Sequence, residues 1–403
     1  MMITRWKIVD KVLIYKDKRI IKIITGVRRS GKSTIFELLI EKIKEQASTE
    51  IQIIRYNFED PIFSELLNWK TLYENILPKI KEKCMNYIFL DEIQEVEEFE
   101  KAVSGLLLLP NVDIYLTGSN AYFLSGELAT KLTGRYIETH ILPLSFAEYY
   151  SAFDEDEEEK LFQRFMVDGA FPQLVDFQKS NILLNNDYLQ GIYNTVLIKD
   201  VLQRIGIADD LKLRDISRFL FDSVGSLVSY RSIANTLSSN GRKISNHTVE
   251  SYISAFCEAF LFYKVDRYDL KGKRILNSGN KFYCVDIGLR SSTLGKSAQV
   301  DLGHVLENIV FLELKRRNKQ VWIGKVNEFE IDFISETNDG EMEYYQVAYT
   351  VRDPETLERE LRPFRAIKNY HKRLLITMDN DPEASYDGIL KMNVRKWLMT
   401  EFS

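Results

Sequence analysis

Lys32 and Ser33 close the run Gly26-Val27-Arg28-Arg29-Ser30-Gly31-Lys32-Ser33, which fits the phosphate-loop pattern G-x-x-x-x-G-K-S at every position. Glycines at those two places let the backbone turn its N–H groups onto a phosphate. The lysine ammonium then reaches the outer phosphates, and the serine hydroxyl is a ligand for Mg²⁺. Ile20 to Thr25, just before the loop, has strand character, and Thr34 to Lys44 after it carries apolar residues at helical spacing. Strand, loop and helix are the context this chemistry requires, because the helix N-terminus adds its own field for an anion. A chance glycine turn would lack them.

A second group of residues completes a phosphate chemistry. The apolar run Tyr87-Ile88-Phe89-Leu90 ends in Asp91-Glu92. Asp91, at the tip of a buried strand, is placed to hold the same Mg²⁺ as Ser33, and Glu92 to orient or deprotonate an attacking water. The strand-like Val112 to Thr117 runs into Gly118-Ser119-Asn120, where Ser119 and Asn120 either sense a terminal phosphate or cap a helix from about Ala121. Arg135 follows Leu132-Thr133-Gly134 and precedes the apolar run Tyr136 to Leu142. It supplies positive charge to the transition state, within the chain or across a subunit boundary, or makes a surface salt bridge.

These residues resemble the AAA+-like P-loop ATPases of bacteria and archaea that carry an uncharacterised C-terminal domain. The resemblance rests on Ile24 to Thr34, Leu90-Asp91-Glu92-Ile93-Gln94, Leu116 to Asn120, Gly134-Arg135, Leu142 to Glu148, Asp168-Gly169-Ala170-Phe171-Pro172 and Lys199-Asp200-Val201. It implies ATP and Mg²⁺ as ligands and ATP hydrolysis as the activity. Gly169-Ala170 departs from an expected pair of glycines.

Composition agrees with a globular chain. Its 403 residues allow roughly two to three domains, and 45% hydrophobic content is ample for buried cores. Cys84, Cys257 and Cys284 are widely spaced without a C-x-x-C pair, which excludes a disulfide framework or zinc site as the organising principle. No apolar signal core opens the chain and no run approaches a membrane span, so a cytoplasmic location without membrane contact is expected. A net charge of −5 gives no global pull toward nucleic acid, leaving only local patches.

The elements that must position these residues alternate. Ile20 to Thr25, Ile51 to Asn57, Tyr87 to Leu90, Val112 to Thr117 and Tyr136 to Leu142 read as strands, mostly separated by helices. That predicts an α/β fold with a parallel sheet, helices on both faces, and nucleotide at the carboxyl ends of the strands. Asp91 and Glu92 also suit the start of an acidic helix, Glu92 to Glu100. The acidic run Asp154 to Glu159 marks a linker. The division predicted is an ATPase domain over 1–150, a helical lid over 151–215, a winged helix over 216–290 and an α/β domain over 291–403.

In the third segment, helices over Ser229 to Leu237 and Ser245 to Phe260 and a hairpin over Leu261 to Tyr283 resemble a winged helix. Asn246, His247, Thr248 and Glu250 would lie at the start of its reading helix. Lys264, Arg267, Lys271, Lys273, Arg274 and Lys281 give the hairpin a basic excess suited to DNA phosphates. Packing on the core or on a protein partner is the other use of this fold. In the last segment, Glu307 on a helix, Asp332 on a strand and Gln346 on the next resemble a restriction-endonuclease-like site. Ala348 stands where that site has a lysine, so the scaffold reads as degenerate unless Lys325 or Lys368 replaces it. Three readings follow: a Mg²⁺-dependent ATPase driving or gating its C-terminal modules, a slowly hydrolysing nucleotide switch or scaffold, and an ATP-controlled nuclease.

Overall fold

In the computed structural model, which describes residues 3–121, 131–132, 134–153, 157–180, 185–202, 210–239, 241, 243–295, 301–317, 320–337 and 339–400, each apolar run named above becomes a strand. The chain divides into two compact units, residues 1–141 with 258–260 and residues 142–257 with 261–403.

The first unit is built on five strands, β1 (Ile21–Thr25), β2 (Ile51–Asn57), β3 (Met85–Asp91), β4 (Val112–Gly118) and β5 (Tyr136–His140). They pair in the order β2-β3-β4-β1-β5, every pair parallel. Buried on both faces, the strands read as unbroken apolar runs instead of alternating ones. Alternate residues serve opposite faces: Ile88, Leu90, Ile114 and Leu116 pack with α3 (Trp69–Ile76) and α4 (Phe99–Leu106). Tyr87, Phe89 and Tyr115 pack with α1 (Trp6–Leu13) and α2 (Lys32–Gln46). This is the α/β fold with helices on both faces of a parallel sheet. Thr25 pairs with Gly118 and His140, and Asn57 with Asp91, so the carboxyl ends of all five strands share one edge.

The acidic helix expected over Glu92 to Glu100 does not form. A short 3₁₀ turn covers Ile93–Glu95, and α4 starts only at Phe99. Glu92 and Glu98 both adopt positive φ, 53° and 52°, which interrupts any right-handed helix. The helix expected from Ala121 and residues 154–156 of the acidic run lie outside the described residues.

The second unit starts with α5 (Phe146–Ser151), α6 (Glu158–Asp168), α7 (Pro172–Lys179) and α8 (Asn185–Thr195). Lys199-Asp200-Val201 falls in a π-helical segment, Val196–Leu202. Next come α9 (Asp210–Asp222), α10 (Tyr230–Ser239) and α11 (Asn246–Glu258), then the hairpin β6 (Phe262–Asp269) and β7 (Arg274–Cys284). After α12 (Ile287–Leu294) and α13 (Leu302–Arg317) the chain forms β8 (Gln320–Val326), β9 (Phe329–Glu336) and β10 (Met342–Ala348). The rest is α14 (Pro354–Arg365), β11 (Lys372–Thr377), β12 (Ala384–Tyr386), β13 (Ile389–Asn393) and α15 (Val394–Met399). These strands make one sheet in the order β12-β13-β11-β10-β9-β8-β6-β7. The hairpin is thus hydrogen-bonded into the sheet of the last segment through β6 and β8, and the boundary expected at residue 290 is not a break between sheets.

Asp168-Gly169-Ala170 has a packing role here. The Asp286 carboxylate accepts from the N–H of Ala170 at 2.7 Å and of Leu289 at 3.1 Å, capping α12. Gly169 sits at φ 82°, and a Cβ there would stand 2.2 Å from Asp286 Oδ1. Only Gly169 of the pair needs a left-handed backbone, which is why alanine serves at 170.

Candidate functional site

At the carboxyl edge of the first sheet, β1 passes into the loop Gly26 to Gly31. Gly26 has φ 155°, and a Cβ on it would lie 2.4 Å from the Ile141 carbonyl oxygen, so no side chain fits. Gly31, at φ 97°, is the residue before α2 and brings no capping side chain. The first-turn N–H groups of α2, which have no partner within the helix, therefore stay open to an anion. Val27, Arg28 and Ser30 are buried, Arg29 and Ser33 exposed, and Thr34 half-buried. Lys32 Nζ bends back to donate to the carbonyls of Gly26 at 3.0 Å and Val27 at 3.3 Å, and stands 3.1 Å from Glu92 Oε1.

Asp91 and Glu92 leave the tip of β3 next to that lysine. Thr117, near the end of β4, donates its hydroxyl to Asp91 Oδ1 and accepts the Glu92 N–H at 2.8 Å. Asp91 Oδ2 is buried without a hydrogen bond of normal geometry. Burial pushes the Asp91 carboxyl above its usual range, with the hydroxyls of Thr117 and Ser33 pulling it back. A partnerless carboxylate oxygen with a serine hydroxyl close by is a donor set that suits a hard divalent cation. Burial also pushes Glu92 up, but Lys32, Gln94 and Arg28 outweigh it and hold the carboxyl below its ordinary value. Gln94 Nε2 donates to Glu92 Oε2 at 2.6 Å and to Ser119 Oγ at 3.3 Å. Asn120 follows Ser119, half-buried beyond the end of β4.

Two arginines brace the loop in ways its sequence pattern does not announce. Arg28 forms ion pairs with Glu59, after β2, and with Glu95, after β3. Arg5, buried ahead of α1, donates to the Ser30 carbonyl at 3.1 Å. Thr117, Gln94, Arg5 and Glu59 were not foreseen. A threonine directly after the buried apolar run Ile114-Tyr115-Leu116 is a signal that the sequence offers.

Arg135 stands just before β5. Its carbonyl accepts from Ile21 N–H at 2.9 Å, at the amino edge of the sheet, whereas the loop leaves the carboxyl edge. The length of β1 between them is about 13 Å, and the side chain is exposed.

In the second unit, Glu307 on α13, Asp332 on β9 and Gln346 on β10 lie near one another, and a lysine of the hairpin stands beside them. Lys281 of β7, 4% exposed, stands 2.9 Å from both Glu307 Oε1 and Glu330 Oε1. Tyr283 donates to Glu307 Oε1 at 2.6 Å. Burial first and Glu307 next push Asp332 well up, and Asp332 accepts the Val347 N–H at 2.8 Å. Gln346 is engaged with the Asp332 N–H and with Glu360. Among the described residues no three histidines, cysteines, aspartates or glutamates gather to hold a metal. The hairpin of the same unit leaves Lys271, Lys273 and Arg274 exposed at its tip, and α11 begins with Asn246 and His247 exposed.

Residues 18–150 match a family model described as AAA domain, and 159–300 one described as Domain of unknown function (DUF8612). A protein of Haemophilus influenzae named "Uncharacterized protein" is 38% identical over 99% of both chains. The chain belongs to this family of AAA-type P-loop ATPases with an uncharacterised C-terminal region. Another relative in the family, "Uncharacterized protein MJ1544" of Methanocaldococcus jannaschii, is 32% identical over 87% of this chain and 79% of its own. Among solved structures, the Walker-type ATPase PABY2304 of Pyrococcus abyssi is similar at 16% identity, covering 72% of this chain and 95% of that one with a TM-score of 0.49. No described helix is long and apolar enough to cross a membrane.

Proposed function

We propose that the protein hydrolyses ATP with Mg²⁺ and uses the nucleotide cycle to drive or gate its C-terminal unit. The observation that carries this reading is the convergence of Lys32, Ser33, Asp91 and Glu92 at one sheet edge, with Asp91 Oδ2 left without a partner. Gly26 to Thr34 wrap the phosphates, and Lys32 exchanges the Gly26 and Val27 carbonyls and Glu92 for phosphate oxygens. Ser33 and Asp91 hold the metal, which supplies charge neutralisation at the phosphates. Once Lys32 turns away, Glu92 loses the charge that most depresses its pKa and becomes a better base for water. Asn120 contacts the terminal phosphate, and exposed Arg135 serves a neighbouring copy.

Glu92→Gln tests this. Phosphate release should fall by about 100-fold or more while ATP still binds, and Lys32→Ala should lose both. Turnover retained in Glu92→Gln would remove the base. Binding without turnover in the wild-type protein would favour the slow switch.

DNA is the partner we assign to the second unit, through a winged helix made of α10, α11 and the β6–β7 hairpin. The exposed Lys271, Lys273 and Arg274 support it. Replacing these three by alanine should lower duplex binding and flatten its salt dependence by roughly one log unit per lost phosphate contact. Unchanged binding would leave a protein partner. Nuclease activity is not favoured, because Ala348 stands where such a site carries a lysine.

A further inference from the structure

Thr117 deserves a role of its own, because one buried hydroxyl contacts both acidic residues of the site. Its side chain is wholly buried, and the pairing of Leu90 with Leu116 sets it beside Asp91. The hydroxyl oxygen accepts the Glu92 N–H at 2.8 Å, so its single proton is committed to Asp91 Oδ1. Two consequences follow. The bond to Oδ1 fixes which oxygen of Asp91 remains without a partner, namely Oδ2. The bond from Glu92 N–H pins a residue whose backbone lies at φ 53° and ψ 48°, a left-handed conformation that a non-glycine residue holds only when its surroundings impose it. Threonine suits this task, since branching at Cβ restricts χ1 and keeps the hydroxyl aimed at both partners.

We infer that Thr117 is a positioning residue for hydrolysis: it selects the Asp91 oxygen offered to Mg²⁺ and sets the backbone angle from which Glu92 meets water. This rests on the ATPase reading above. Ser119 and Asn120, two and three residues further on, would address the phosphate itself, which is a separate role.

The experiment compares Thr117→Val, an isostere without the hydroxyl, and Thr117→Ser, which restores it, in the full-length protein. Steady-state phosphate release is measured against both ATP and Mg²⁺, and binding of a fluorescent ATP analogue with and without Mg²⁺. Thr117→Val should lose about 100-fold in kcat, with metal-free nucleotide binding unchanged and a several-fold higher Mg²⁺ requirement. Thr117→Ser should recover most of both. A merely structural role would weaken folding and binding together and would not move the Mg²⁺ requirement selectively. Wild-type-like kinetics in Thr117→Val, or Thr117→Ser as impaired as Thr117→Val with both folded, would overturn the inference. If the wild-type protein binds ATP but does not turn it over, the ATPase reading fails by itself. Thr117→Val must then still lose the gain in nucleotide affinity that Mg²⁺ confers, and keeping that gain would overturn the inference separately.

Discussion

Gly26 holds the least negotiable position in the nucleotide loop. An added Cβ would meet a backbone carbonyl, that of Ile141, at 2.4 Å, and main chain cannot swing aside as a side chain would. Gly26→Ala should therefore distort the loop and abolish ATP binding in a fluorescence titration, while circular dichroism remains that of the folded protein. ATP affinity within a few-fold of wild type would mean the loop tolerates a different path. Glu92 raises the opposite question, since it carries a side chain into a conformation that glycine prefers. Its carboxylate meets Lys32 and Gln94 there, and Thr117 holds the backbone.

Between β1 and β4, apolar packing is interrupted by Lys22 and Asp113, paired with each other and each 1% exposed. Tyr115 donates to Asp113 at 3.0 Å, and the Asp17 N–H does so at the same distance. Burial lowers the Lys22 pKa and raises that of Asp113, the signature of charges that have lost water and kept each other. Asp113→Leu should cost about 3–5 kcal/mol in denaturant unfolding, and the double variant Lys22→Met/Asp113→Leu should recover most of it. Equal losses in the single and double variants would show that the pair itself, not the stranded charge, carries the stability. The strands of this sheet were legible because parallel strands buried on both faces are runs such as Tyr87-Ile88-Phe89-Leu90 ending in polar residues. The acidic stretch after Asp91 was misleading, since carboxylates suit a helix start, yet left-handed Glu92 and Glu98 split it. Thr117 under Asp91 and Lys281 against Glu307 depend on strand register and on chain separated by 26 residues in each case, and local pattern carries no such information.

For the molecule as a whole, the two units have separate cores and should answer to pH separately. Asp286, in the second unit, is driven by burial to a pKa of about 6, against the hydrogen bonds from Ala170 and Leu289. A carboxyl whose folded pKa exceeds its unfolded value stabilises fully below the unfolded pKa and loses that contribution as pH rises through the folded one. Between about pH 4 and 6 the second unit should lose on the order of 3 kcal/mol from this group. In calorimetry, Asp286→Asn should remove that slope from one transition and leave the other unmoved. An unchanged slope would assign it elsewhere.

Arg5 and α1 bear on where this protein can be trimmed. The matched AAA region starts at residue 18, which invites a cut there. Such a cut would discard the guanidinium under the Ser30 carbonyl and the wholly covered side chains of Val9 and Val12, exposing Phe36 and Leu39 on α2. The shortened chain would keep every signature residue of an ATPase and yet be sticky in solution and slack at its phosphate loop. Failure of that fragment to bind ATP would say nothing against the full-length protein.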